Sequence, residues 1–136
     1  MESDVLVDSN VYINLLNRGL DPAQNLLQWA GTRDLLVCPM VRMEVIRGLR
    51  SIKARQSLSA FMDVMVNVPS DDPLWSDATA LARNCDRKGF AISGMDALIA
   101  ASALRMGAAV LTPDENFQRV DGLRVIAPPP EWLGSR

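Results

Sequence analysis

The chain alternates short runs of aliphatic residues with longer segments whose apolar positions recur at helical spacing. The short runs do not alternate with polar residues, which is typical of strands that are buried on both faces. Strands are therefore predicted at residues 5–7, 35–38, 64–68, 109–111 and 123–126.

The intervening segments predict helices, and several of them begin with recognisable start signals. Asp21-Pro22 and Asp72-Pro73 each offer an acidic N-cap followed by proline at the first helical position. The predicted helices span residues 11–16, 21–30, 40–50, 52–65, 72–88 and 93–106, with a short one at 113–120.

Strands that alternate with helices predict a single α/β domain over residues 1–136, a three-layer α/β/α sandwich around a short parallel sheet of four to five strands. The sequence shows no basic leader, so export is not predicted. It also shows no apolar segment long enough to predict a membrane span. Cys38 and Cys85 are far apart and predict neither a disulfide framework nor a zinc site, so we expect a cytoplasmic protein.

Composition excludes several kinds of chemistry. The chain has no histidine, which removes Ser-His-Asp catalysis, His-ligated zinc and paired-histidine ribonuclease chemistry. The net charge of −2 argues against a nucleic-acid-binding protein that relies on charge alone. However, all basic residues except Lys53 and Lys88 are arginines, which suit bidentate phosphate contacts, and a bound divalent cation would reverse the local field.

Four acidic residues stand out because each follows a predicted strand or interrupts an apolar surface. Asp8 directly follows the first strand, and Asp114 follows the fourth by three residues. Asp96 lies in the first turn of the most apolar helix, and Glu44 lies on an otherwise uncharged face of its helix. Ligands bind beyond the carboxyl ends of the strands in sheets of this kind, so these are the candidate functional residues.

Each of these acids also has a purely structural interpretation. Asp8 can cap the helix that follows it, and Asp96 can belong to a capping box. Thr112-Pro113-Asp114-Glu115 fits the start of a short helix, and Glu44 can pair with Arg47 three residues later. Each residue alone therefore leaves both interpretations open.

The joint pattern indicates a metal site. Carboxylates that converge in a small pocket repel one another unless they are protonated or bridged by a cation. An all-oxygen ligand set suits Mg²⁺ or Mn²⁺ better than zinc, and such a site suits phosphodiester hydrolysis.

These segments resemble the PIN-domain ribonucleases, and among them the VapC toxins of bacterial toxin–antitoxin pairs. Val5-Leu6-Val7-Asp8-Ser9-Asn10 is similar to the family's opening strand, and Glu44 with the following Gly48 to its second acid. Asp96-Ala97-Leu98-Ile99-Ala100-Ala101 is the most specific match, and Leu111-Thr112-Pro113-Asp114-Glu115-Asn116-Phe117 resembles the segment of the fourth acid. The tail from Val120 to Val125 matches as well, so the resemblance spans essentially the whole chain.

The resemblance implies a PIN-like fold and a Mg²⁺- or Mn²⁺-dependent endoribonuclease that cleaves RNA, is inhibited by a cognate antitoxin and forms a homodimer. The implied catalytic and metal-binding residues are Asp8, Glu44, Asp96 and Asp114, supported by the hydroxyl groups of Ser9 and Thr112. The implied contacts to the RNA backbone are Arg42, Arg47 and Arg119, for which a solvated surface role is the alternative.

Two details depart from the family pattern. Cys38-Pro39-Met40 stands where the family often has a serine ahead of the second acid, so a supporting hydroxyl for Glu44 is missing there. The fourth acid is the family's most variable one, so Glu115 or Asn116 could share the role of Asp114.

Two other functions and one surface stay open. A receiver-type or phosphotransferase domain also gathers acids at strand ends, but it needs a late lysine, and the last one here is Lys88. A non-catalytic interaction module would keep the acids only as caps. Apolar residues of the predicted helix 52–65 could form a homodimer or antitoxin surface, or could belong to the core; they are Leu58, Phe61, Met62 and Met65.

Overall fold

A computed structural model describes residues 4–134 and contains five strands and six α-helices. The strands are β1 (Val5–Val7), β2 (Leu35–Val37), β3 (Val66–Asn67), β4 (Ala109–Leu111) and β5 (Val125–Ile126). The helices are α1 (Ser9–Asn17), α2 (Pro22–Ala30), α3 (Pro39–Arg47), α4 (Ile52–Asp63), α5 (Asp72–Arg87) and α6 (Gly94–Arg105). Two short 3₁₀ helices follow, at Glu115–Arg119 and Pro130–Trp132.

The strands form one parallel sheet in the order β3-β2-β1-β4-β5. The central strand β1 pairs through Leu6 with Leu36 of β2 on one side and with Val110 of β4 on the other. Successive strand residues point to opposite faces of a sheet, and all three residues of β1, β2 and β4 are buried, so helices cover both faces. The predicted α/β fold with a parallel sheet is confirmed.

Helix α6 is buried on almost every side, which explains its composition. Seven consecutive residues from Ala97 to Ala103 are buried, and four of them are alanines. Small side chains let α5, α3 and β4 pack closely around this helix. The one hydroxyl in the run, Ser102, donates to the carbonyl oxygen of Leu98 at 2.7 Å, so no buried polar group is left unsatisfied there.

Several boundaries differ from the prediction for local reasons. The segment at 113–120 forms a 3₁₀ helix of five residues rather than an α-helix. Strand β3 begins at Val66 because Met65 still closes the end of α4, donating its amide to Met62. Helix α1 begins at Ser9, directly after β1, and therefore places Asp8 at the junction of strand and helix.

The apolar residues of α4 belong to the core. Leu58, Phe61 and Met62 are buried where α4 packs against α2, α3 and β3, so of the two alternatives for these residues the structure supports the core. Met65 is half-buried, and its sulfur accepts a hydrogen bond from the hydroxyl of Tyr12 at 3.6 Å. Among residues 4–134, no helix combines the length and apolar character that a bilayer crossing requires.

Candidate active site

Asp8 lies at the carboxyl end of the central strand and is 2% exposed. It occupies the N-cap position of α1, yet its side chain makes no capping hydrogen bond, so the structure does not support the capping alternative for Asp8. Its Oδ2 accepts from the Thr112 hydroxyl at 2.8 Å, and its Oδ1 lies 3.5 Å from the Ser9 hydroxyl. The carboxylate is therefore held by the Thr112 hydroxyl, and the backbone amide of Ser9 also stabilises its charged form.

Ser9 connects the first helix to the second acid. Its hydroxyl is buried and donates to Oε1 of Glu44 at 2.9 Å, across the contact between α1 and α3. Within residues 4–134, no salt bridge joins Glu44 to Arg47. Ser9 thus supplies the hydroxyl support that the sequence around Cys38 does not offer.

Thr112 connects Asp8 to the segment that carries the fourth acid. It follows β4 directly, is 2% exposed, and accepts the amide of Asp114 at 3.0 Å through the same hydroxyl oxygen that donates to Asp8. Asp114 itself caps the 3₁₀ helix, because its Oδ1 accepts the amide of Asn116 at 2.9 Å. The structural interpretation of Asp114 therefore holds for one of its oxygens.

Asp96 lies in the first turn of α6, where it is half-buried. Its amide donates to the hydroxyl of Ser93, the N-cap residue, at 3.1 Å. This fixes the first turn of the helix, and with it the position from which the Asp96 carboxylate faces the other acids.

Two of the four acids, Asp8 and Asp96, have pKa values that are raised in part by the charges of neighbouring acids. Burial raises the pKa of Asp8 from 3.8 to about 6, opposed by the Thr112 hydrogen bond and reinforced by the negative charges of Asp96 and Glu44. Burial also raises the pKa of Asp96, and the charges of Asp114 and Glu44 add to the rise. The structure therefore gathers Asp8, Glu44, Asp96 and Asp114 in one field of excess negative charge.

The donor set fits a hard divalent cation in its chemistry. Every candidate ligand is a carboxylate oxygen. Burial is the main cause of the raised pKa of Asp8, and the negative charges of Asp96 and Glu44, which a cation would neutralise, add to it. In residues 4–134, however, no three acidic or cysteine side chains are already arranged so that together they could hold a metal ion. Mg²⁺ keeps several of its waters and binds through one or two carboxylates directly, so pairs of acids rather than a closed cage suit this ion.

The three candidate RNA-binding arginines have different surroundings. Arg42 pairs with Asp63 at 3.0 Å and is thereby directed toward the end of α4. Arg47 is exposed at the end of α3. Arg119 is exposed at the end of the 3₁₀ helix, with its guanidinium carbon 5.1 Å from the centre of the Phe90 ring. Sequence reasoning missed Phe90, for which an aromatic residue next to Lys88-Gly89 was the available signal.

Cys38 is the N-cap residue of α3, the helix that carries Glu44, and it is 1% exposed. Burial raises the pKa of its thiol, and the backbone amides of Met40 and Val41 act in the opposite direction. The residue is therefore a neutral, buried thiol at the base of the candidate site.

Comparison with known proteins defines the family. The family model of the PIN domain matches residues 5–123. The chain belongs to the PIN domain family. No curated protein sequence matches it significantly.

Solved structures of VapBC complexes and of a VapC toxin share its fold at low sequence identity. VapBC2 from Rickettsia felis, bound to a promoter DNA fragment, superposes with a TM-score of 0.74 at 21% identity, covering 90% of this chain and 97% of its own. DNA-bound VapBC from Salmonella typhimurium gives 0.74 at 19% identity, covering 93% and 98%. VapC20 from Mycobacterium tuberculosis, described as a sarcin–ricin loop cleaving toxin, gives 0.64 at 19% identity, covering 89% and 99%.

Proposed function

We propose that this PIN protein is a Mg²⁺- or Mn²⁺-dependent endoribonuclease that acts as the toxin of a toxin–antitoxin pair in the cytoplasm. The observation that carries the proposal is that burial and the charges of neighbouring acids raise the pKa values of both Asp8 and Asp96, that of the buried Asp8 to about 6. Such a cluster costs stability in the folded chain and is relieved by a bound cation. A purely structural set of helix caps has no need of this arrangement.

The four acids and the two hydroxyl groups are assigned different roles according to their positions. We assign Asp8 and Asp96 to the cation, with Glu44 and Asp114 as ligands directly or through water. A bound divalent cation would supply an activated water for in-line attack on a phosphodiester and would neutralise the charge that develops on the leaving oxygen. The Thr112 hydroxyl holds Asp8, and the Ser9 hydroxyl holds Glu44, so the carboxylates are oriented before substrate arrives.

The partners are proposed from the solved structures that share the fold. Several of them are VapBC toxin–antitoxin complexes, including those from Rickettsia felis and Salmonella typhimurium. On this basis we propose a cognate antitoxin for this chain. RNA as its substrate is proposed from the likeness to VapC20, the sarcin–ricin loop cleaving toxin, and the homodimer stays a prediction from the sequence.

The direct test is cleavage of total cellular RNA by the purified chain with Mg²⁺, Mn²⁺ or EDTA. The wild-type chain should release discrete fragments only with metal, and Asp96→Asn should release none. A matched control is Asp77→Asn on the exposed face of α5, which should leave cleavage unchanged. Equal cleavage by wild type and Asp96→Asn would show that the acids do not carry the activity.

A non-catalytic interaction module is the second candidate, and two observations favour it. Among the described residues, no three acids are arranged so that together they could hold a metal ion, and Asp114 does serve as a helix cap. Thermal denaturation separates the two candidates, because only a metal site predicts a higher Tm in millimolar Mg²⁺ or Mn²⁺. The receiver-type alternative needs a lysine near the phosphoryl group. Lys88 does not fill that role, since it donates hydrogen bonds to Asp121 and to the carbonyl oxygen of Arg119.

A further inference from the structure

Two loops that flank the acidic cluster meet around the ring of Phe90. Helix α5 ends in a turn at Gly89, whose φ is +91°, and the amide of Phe90 donates back to the carbonyl of Cys85 at 3.2 Å. This turn fixes the ring, which is half-buried against the core. Lys88 Nζ lies 5.8 Å and the Arg119 guanidinium carbon 5.1 Å from the ring centre. Phe90 therefore has two cations beside it.

The charge of one of these cations is already neutralised. Lys88 Nζ donates to Oδ1 of Asp121 at 2.7 Å and to the carbonyl oxygen of Arg119 at 3.0 Å. Asp121 also accepts from the side chain of Asn84 at 3.1 Å. Lys88 thus joins the end of α5 to the segment after the 3₁₀ helix, and it fixes the backbone from which Arg119 projects.

The charge of Arg119 is not neutralised. Within residues 4–134, no carboxylate lies at ion-pair distance from its guanidinium, in contrast to Arg42 with Asp63 and Arg105 with Asp71. A guanidinium held over an aromatic face by a cation–π contact does not use its N–H groups in that contact, so they remain available for the two oxygens of a phosphate. The ring of Phe90 holds this arginine without consuming its donors.

The position of the pair along the chain places it beside the candidate site. Arg119 ends the 3₁₀ helix that Asp114 caps, and Phe90 lies three residues before Ser93, the cap of the helix that carries Asp96. The acidic cluster repels phosphate, and the whole chain carries a net charge of −2, so an anionic substrate needs a local cation at the rim.

We infer that Arg119, held over Phe90, binds a backbone phosphate of single-stranded RNA and positions the strand at the acidic cluster. The inference rests on the proposed nuclease function and names a substrate contact of that site. Phe90 is a positioning residue that acts through Arg119, and Lys88 fixes the loop.

Binding is measured without turnover, in the Asp96→Asn background, by fluorescence anisotropy of a labelled 12-nucleotide single-stranded RNA across a salt series. Arg119→Ala should weaken binding about tenfold at low salt and reduce the slope of log K against log salt by about 0.7, the value for one phosphate contact on a single strand. Phe90→Leu keeps every charge and should weaken binding with an unchanged slope. Arg18→Ala removes an equally exposed arginine at the far end of α1 and should change neither quantity.

Three results would overturn the inference. Arg119→Ala could bind with the parent's affinity and salt slope but melt at a lower temperature, which would make the ring contact merely structural. Arg119→Ala and Arg18→Ala could weaken binding equally, which would leave only nonspecific attraction. The parent could also fail to bind RNA at all. By contrast, a chain that binds RNA through Arg119 but never cleaves it would contradict the proposed nuclease function and leave the phosphate contact standing.

Discussion

Replacing Asp8 by asparagine should stabilise the metal-free protein above pH 7. Asp8 is 2% exposed, and its pKa is raised from 3.8 to about 6 by burial and by the charges of Asp96 and Glu44. The folded state therefore binds this proton more tightly than the unfolded state does. The contribution to the free energy of unfolding is largest below the unfolded pKa and falls as the pH rises through about 6.

The magnitude follows from the size of the pKa shift. A rise from 3.8 to about 6 corresponds to a loss of about 3 kcal/mol once both states are ionised. Asparagine has the same shape, stays neutral and can still accept the Thr112 hydroxyl, so Asp8→Asn should recover up to about 3 kcal/mol at pH 8. For a chain of this size that is a rise in Tm of about 10 °C.

The assay is thermal denaturation at pH 4 and pH 8, with EDTA or with millimolar Mg²⁺. With EDTA, the Tm of Asp8→Asn should lie well above that of wild type at pH 8, and the two Tm values should converge at pH 4. Mg²⁺ should raise the Tm of wild type and leave that of Asp8→Asn unchanged. Asp21→Asn is the matched control, since asparagine caps a helix as well as the exposed aspartate that caps α2. An Asp8→Asn chain less stable than wild type at pH 8 in EDTA would refute the reasoning and make Asp8 a structural acceptor.

Three further substitutions test the supporting contacts. Thr112→Val removes the hydroxyl that lowers the pKa of Asp8, so the pH midpoint for metal binding followed by calorimetry should rise, and stability should fall by about 1–3 kcal/mol; an unchanged midpoint would contradict the assigned bond. Ser9→Ala frees Glu44 and should reduce RNA cleavage more than it reduces Tm, whereas Ser57→Ala on the exposed surface of α4 should affect neither. Ala100→Leu introduces three carbons into the fully buried α6 and should cost about 1–3 kcal/mol by urea denaturation, and a tolerated leucine would show a looser core than the structure has.

The fold was largely predictable because its information is local. Strands such as Val5–Val7 consist only of aliphatic residues, and Asp21-Pro22 and Ser93-Gly94 mark helix starts. The edge strands were harder, since β3 and β5 have only two residues and receive support from one neighbour each. The sequence pattern at 113–120 could not distinguish a 3₁₀ helix from an α-helix. The helix that forms there, Glu115–Arg119, has only five residues, which are too few to show a periodicity.

The residues of the candidate site could be proposed from the sequence, but the contacts that hold them could not. The position of Asp8, Asp96 and Asp114 after strands and at helix starts follows from the sequence and from the rule that parallel strands share a carboxyl edge. The bond from Ser9 to Glu44 joins residues 35 positions apart, and the one from Thr112 to Asp8 joins residues 104 apart. Such contacts depend on how helices pack, which no local pattern encodes. Local spacing likewise left Leu58 and Phe61 open between a partner surface and the core, and only the packing of α4 shows that they are buried.

The central claim is that these carboxylates share a divalent cation, and diffraction from crystals soaked in MnCl₂ tests it most directly. The account predicts an anomalous difference peak at coordination distance from Asp8 and Asp96, which disappears in crystals of Asp96→Asn. A fully ordered site without such a peak, or manganese bound only elsewhere on the chain, would contradict it.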